Sequence, residues 1–164
     1  MLASVARIFL LASLLSACST PAPETPGEAE RAVTLDLHAS AALNPGATGQ
    51  PAPVRVRIFE LKNAAAFSRA DYFALAERAA QTLGPDLVDQ DEVLLRPGET
   101  RSVVRPLNPA TRHVGLVVGY REIDRARWRT VLDVSPRQGQ QYRIDLDAQA
   151  VRSDAVNPAT RTAQ

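Results

Sequence analysis

The run Val54-Arg55-Val56-Arg57-Ile58 alternates apolar and cationic side chains with a period of two, which an extended strand sorts into one dry face and one wet face. The same alternation recurs at Val33-Thr34-Leu35-Asp36-Leu37-His38-Ala39. Shorter candidates follow at 92–95, 100–106, 113–121, 128–134 and 141–147. Turn formers separate them: Pro97-Gly98, Asn108-Pro109, and Ser135-Pro136 with Gly139. About seven short strands at this spacing predict an all-β fold, an antiparallel β-sandwich whose two sheets each bury one face. Trp128, Thr130, Leu132 and Val134, then Tyr142, Ile144 and Leu146, are the expected inner faces of the last two strands. A chain of 164 residues, 45% hydrophobic and 23% charged, has room for one such domain and is not wholly disordered.

One stretch breaks the period. Ser68-Arg69-Ala70-Asp71 resembles a helix capping box with Asp in the Glu position, and Phe73, Ala76, Ala80 and Leu83 follow as one helical stripe before Gly84-Pro85 stops it. A helical insertion is expected over about 63–83, packed against the sandwich. On the strand around 113–121, Gly115, Val117 and Gly119 share a face. Strand glycines admit close approach of another element, so this shallow strip is expected to seat the helix carrying Phe73 and Leu83.

The chain opens with a targeting pattern. Arg7 precedes an apolar run from Ile8 to Leu15 that is far too short for a bilayer-spanning helix, so residues 1–17 read as a secretory signal. The segment ends Leu15-Ser16-Ala17-Cys18, which resembles the bacterial lipobox, and the chain has no other cysteine. That resemblance implies cleavage before Cys18, a diacylglycerol thioether on its sulfur and usually an acyl chain on its amine. Together these make a stable membrane anchor where one chain would be marginal. Ser19, in place of an Asp, points to the outer membrane. Residues 18–30, rich in Pro and Glu, read as lipidated N-terminus and flexible tether, with a reach of about 40 Å. The folded domain is expected over 31–152, and 153–164 reads as a disordered tail.

Charge and motifs exclude several functions. Lys plus Arg is 19 against 18 for Asp plus Glu, which argues against a protein that grips nucleic-acid phosphates. A single cysteine excludes an intrachain disulfide and a cysteine-based zinc site. His38 and His113 read as exposed strand histidines, with nothing nearby in sequence to make them pH-sensitive. The acids Asp86, Asp89, Asp91 and Glu92 lack EF-hand spacing and its glycine, so they read as a solvated loop. No nucleophile elbow, phosphate loop or Cys-His pair is present, so no catalytic residue, metal site or cofactor is assigned beyond the covalent lipid on Cys18. The segment from Ser40 to Pro53 is long for a connection in a compact domain, and such loops are often functional.

Several segments together resemble TssJ, the lipoprotein family of the bacterial type VI secretion system. They are Leu43-Asn44-Pro45, Val56-Arg57-Ile58-Phe59-Glu60-Leu61-Lys62, Phe67 through Phe73 with Leu75, and Leu94-Leu95-Arg96-Pro97-Gly98-Glu99. The longest is Val114-Gly115-Leu116-Val117-Val118-Gly119-Tyr120-Arg121, followed by Asp124 and Trp128-Arg129. The resemblance implies a transthyretin-like sandwich without catalytic activity, anchored on the periplasmic face of the outer membrane. It also implies binding to the periplasmic C-terminal region of TssM, an inner-membrane protein that joins TssL in an envelope-spanning complex. In the family the loop between the first two strands contributes to that contact, which here nominates Leu43, Asn44, Pro45, Gly46 and Gln50. The turns near Asn108 and at Glu122–Ala126 are secondary candidates. The alternative expectation is a lipoprotein that binds a small ligand or carbohydrate, which requires a concave patch of aromatic and polar groups.

Overall fold

The computed structural model describes residues 32–135 and 139–156. The signal segment, Cys18, the tether and most of the expected tail (157–164) lie outside the described residues. Eight strands form two four-stranded sheets, with a group of short helices against one of them. The first sheet has the order β4-β1-β7-β8, built from β1 (Ala32–Ala39), β4 (Thr100–Pro106), β7 (Gln140–Leu146) and β8 (Val151–Ala155). The second has the order β3-β2-β5-β6, built from β2 (Val54–Leu61), β3 (Leu87–Leu95), β5 (His113–Val118) and β6 (Arg129–Asp133). This is the expected all-β sandwich with a small helical insertion. Its pairs are antiparallel except β1 with β7, which run parallel with Val33 opposite Gln140 and Ala39 opposite Leu146.

The alternation does what period two requires. Val33, Leu35 and Leu37 of β1 meet Val56, Ile58 and Leu116 between the sheets, and all six are fully buried. In β2 the alternation stops after Ile58, because Phe59 and Leu61 point to the opposite face and are buried there as well. The helical insertion covers that face, so the strand continues to Leu61, three residues past the end of the alternating run.

The insertion is three helices rather than one: α1 (Ala65–Arg69), α2 (Tyr72–Glu77) and α3 (Ala79–Leu83), ended by a 3₁₀ turn at Gly84–Asp86. Backbone breaks at Ala70 and Arg78 divide it. Asp71 is not the fourth member of a capping box begun by Ser68. It is itself the N-cap of α2, its carboxylate accepting from the Ala74 N–H at 2.8 Å, while Ser68 lies inside α1. The buried stripe is accordingly Leu75, Ala79 and Leu83, with Phe67 from α1; Phe73 is 56% exposed and Ala80 is exposed. The glycine strip does seat the insertion. A Cβ on Gly115 would lie 2.6 Å from the Phe67 ring, one on Gly119 would lie 3.0 Å from the Tyr72 hydroxyl, and Val117 joins the same apolar cluster. Arg129 of β6 donates to the carbonyls of Phe67 (3.2 Å) and Ala70 (2.7 Å), closing the end of α1 onto the sheet.

Two expectations about loops are corrected. Of the acidic stretch, Asp86 ends the 3₁₀ turn, and Asp89, Asp91 and Glu92 are part of β3, which begins at Leu87. Asp89 and Asp91 pair with Arg105 at 2.9 and 2.7 Å, and Glu92 lies between Arg55 and Arg57, so pairing and charge neutralisation override the poor strand propensity of Asp. The eighth strand, Val151–Ala155, occupies the start of the expected disordered tail. Its one large apolar residue, Val151, makes no visible alternation, yet it pairs with β7 and Ser153 shares a 2.8 Å hydrogen bond with Thr130 of the other sheet.

Candidate partner-binding end

The strand directions sort every connection to one of two ends. Ala32, where the N-terminal segment enters, pairs with Pro106, and Val33 lies beside Gln140. Val156 donates to the Gln141 carbonyl, so the described chain leaves at that same end. The 107–112 turn is there too, with Asn108 donating its N–H to Glu60. At the opposite end lie the 40–53 loop, the 96–99 turn, the 119–128 loop and the 147–150 turn. Of the two secondary candidates, Glu122–Ala126 therefore shares an end with the 40–53 loop, and the Asn108 turn does not.

The 40–53 loop is latched to its neighbours. Ser40 donates to the Leu146 carbonyl at 2.9 Å and accepts from the Gly98 N–H at 3.1 Å. Leu43 is fully buried in the core between the sheets. Asn44 is 3% exposed and sits in the left-handed region at φ 50°, where its short polar side chain is tolerated. Its N–H donates to Ala148 O at 3.0 Å, its amide nitrogen to Pro53 O at 3.0 Å, and its Oδ1 accepts from the Arg121 N–H at 2.7 Å. One residue thus ties three connections together. Beyond it, Gly46 donates to Gln50 O and Gly49 to Gly46 O, closing a tight tip in which Ala47, Thr48, Gly49 and Gln50 are exposed.

This geometry redistributes the nominated residues. Leu43 and Asn44 are interior and shape the loop; they have no surface to offer a partner. Pro45 and Gly46 are half-buried, and Gln50 stands exposed at the tip. Sequence reasoning missed Arg121 and the 147–150 turn, since only tertiary hydrogen bonds connect them to Asn44. Asn44→Ala is expected to cost about 2 kcal/mol through the lost bonds and the unfavourable φ. Hydrogen exchange should show the Ala52 and Arg121 amides losing protection.

Tyr120 lies under this end, buried, with no hydrogen-bond partner for its hydroxyl among the described residues. Burial raises its pKa, and the Asp147 carboxylate raises it further. Tyr142, whose hydroxyl donates to the Asp133 carbonyl, is also raised, by burial first and then by Asp133. Because the folded state keeps these protons more tightly, the associated stability is complete below about pH 10 and falls as pH rises beyond it. Tyr120→Phe is expected to raise stability by about 1 kcal/mol at neutral pH by removing the orphaned hydroxyl. It should also flatten the alkaline decline; urea midpoints at pH 7 and about pH 10.5 measure both.

His113 is not isolated: its Nδ1 is 2.8 Å from Asp133 across the β5–β6 pair. A groove of about 550 Å³ runs between α2–α3 and the outer face of β2–β3. Its one aromatic lining residue is Phe59, while Tyr72 and Trp128 pack edge-on against each other at 5.5 Å. It therefore presents no aromatic platform for a carbohydrate ring. Among the described residues, no helix is long and apolar enough to cross a membrane.

The fold is thus a two-sheet sandwich with helices against one sheet, entered by the described chain at one end and carrying the latched 40–53 loop at the other. The chain belongs to the type VI secretion lipoprotein family (VasD, EvfM, TssJ), whose family model matches residues 31–149. It is similar to the T6SS lipoprotein TssJ1 from Pseudomonas aeruginosa, at 52% identity and a TM-score of 0.75, over 78% of this chain and 98% of that one. It is also similar to Serratia marcescens Lip, a membrane-bound component of the type VI secretion system, at 27% identity and a TM-score of 0.70, over 77% and 97% of the two chains. A third similar chain, at 30% identity and a TM-score of 0.64 over 76% and 98%, is in a structure described as the T6SS protein TssM C-terminal domain from EAEC. No curated protein sequence matches the chain.

Proposed function

We propose that this lipoprotein is anchored in the outer membrane through lipid on Cys18. Its loop end binds the periplasmic C-terminal region of TssM, so that with TssL, reached through TssM, the two membranes are bridged. The observation that carries the reading is the placement of the latched 40–53 loop at the end opposite to Ala32, where the N-terminal segment enters. An anchor reached through that segment leaves the loops facing away from the lipid, toward a partner rooted in the other membrane. The work is mechanical: the lipid holds one end and the partner the other, with no bond made or broken. The structure described by its TssM C-terminal domain, which contains a chain of this fold, supports the choice of partner.

The test is binding of the full-length lipoprotein, extracted in detergent, to the periplasmic C-terminal region of TssM from the same organism. Replacing Thr48 and Gln50 together by alanine, at exposed tip positions, should weaken binding about tenfold with the thermal midpoint unchanged. Full-strength binding by that variant would move the contact off the tip. No binding by folded wild-type protein would overturn the bridge.

A further inference from the structure

Arg121 is mounted on the loop end in a way that its neighbours on the 119–128 loop are not. Its backbone N–H is held by the buried Asn44 side chain at 2.7 Å. Its guanidinium lies across Gly46, so closely that a Cβ there would be 2.7 Å from Nη1. Gly46 is outside the left-handed region, so a side chain there would cost little in the backbone and would instead push the flexible end of Arg121 aside. The side chain is exposed, and no carboxylate among the described residues pairs with it. Two acids of the same end are already taken: Glu99 by Arg101 at 2.9 Å and Asp147 by Arg152 at 2.7 Å. A guanidinium with its backbone fixed and its head lying over a glycine loses less freedom on pairing than a free surface arginine does.

We propose that Arg121 is the anion-recognising residue of the partner contact, a pre-positioned guanidinium that takes a carboxylate from the bound protein. The proposal rests on the bridging reading above and adds to it the chemistry the partner must present. A lipid phosphate is the wrong source, because Arg121 stands at the end away from the entering N-terminal segment. A carboxylate matches the planar, two-pronged donor geometry of the guanidinium.

A double-mutant cycle tests it, using the full-length lipoprotein in detergent and the periplasmic C-terminal region of TssM. Arg121→Ala should weaken binding about tenfold. Gly46→Ala should weaken it several-fold although the charge remains, because the new methyl displaces the flexible end of Arg121. The double variant should bind no more weakly than Arg121→Ala alone, since both changes remove one interaction. Thermal midpoints should hold throughout. Unchanged binding by Arg121→Ala, or additive losses in the cycle, would overturn the proposal while leaving the bridge standing. Failure of wild-type protein to bind overturns the bridge and this proposal with it.

Discussion

Phe67→Ala will cost about 3–5 kcal/mol and detach the helical insertion from the sheet before the sandwich unfolds. Phe67 is fully buried although it sits in a five-residue helix, and no helix that short is stable by propensity. Its ring rests directly on Gly115 and tilts against Phe59 with centroids 5.8 Å apart, so Phe67 is the large side chain that seats α1 on the sheet, beside the Arg129 cap. Truncation opens a cavity whose floor is a glycine, which has no side chain to fill the space from below. The matching change from below, Gly115→Ala, forces a methyl into the same contact and should cost about 1–3 kcal/mol by overpacking. Native-state hydrogen exchange distinguishes the two levels of opening: in Phe67→Ala the helix amides should exchange well before those of β1 and β7. Simultaneous loss of protection in helices and strands would show that the insertion is not a separate layer.

Arg105→Met is expected to destabilise the domain by about 3 kcal/mol. Arg105 lies in β4 at the edge of one sheet, and its partners lie on β2 and β3 of the other: Glu60 at 3.2 Å, Asp89 at 2.9 Å and Asp91 at 2.7 Å. It therefore ties together two sheet edges that share no ladder hydrogen bonds. The three acids do not contribute equally. Asp89 and Asp91 are more than half exposed, and water compensates their loss of a cation. Glu60 is 2% exposed; it keeps the Thr111 hydroxyl at 2.7 Å and the Asn108 N–H at 3.2 Å, but would lose the one cation that pairs with it among the described residues. Most of the penalty is thus the stranded Glu60 charge, and Glu60→Gln in the Arg105→Met background should recover much of it. Denaturant midpoints of the two single variants and the double measure the coupling directly.

The stretches that alternate cleanly, β1, β7 and the first half of β2, were legible because one face of each meets the core and the other is at least partly open to water. The helical insertion was legible as an interruption, and its seat on Gly115 and Gly119 could be read from the absence of side chains there. Its internal register was not, since the break at Arg78 and the N-cap at Asp71 shift which residues face inward. β8 was missed for a related reason: an edge strand with one buried residue carries almost no periodic signal, and its pairing with β7 supplies the order.

From its sequence alone this chain was determined to be a two-faced β protein with a helical interruption, because periodicity and local chemistry are properties of neighbours along the chain. Which loops share an end, and which side chains of the 40–53 loop are interior, was decided only in the tertiary structure. The parallel pairing of β1 with β7 and the antiparallel return of β8 bring residues far apart in sequence together. Asn44 meets Arg121 and Ala148 only because those strands end at the same side of the sandwich. Hydrogen bonds between distant connections leave no spacing for a sequence to display.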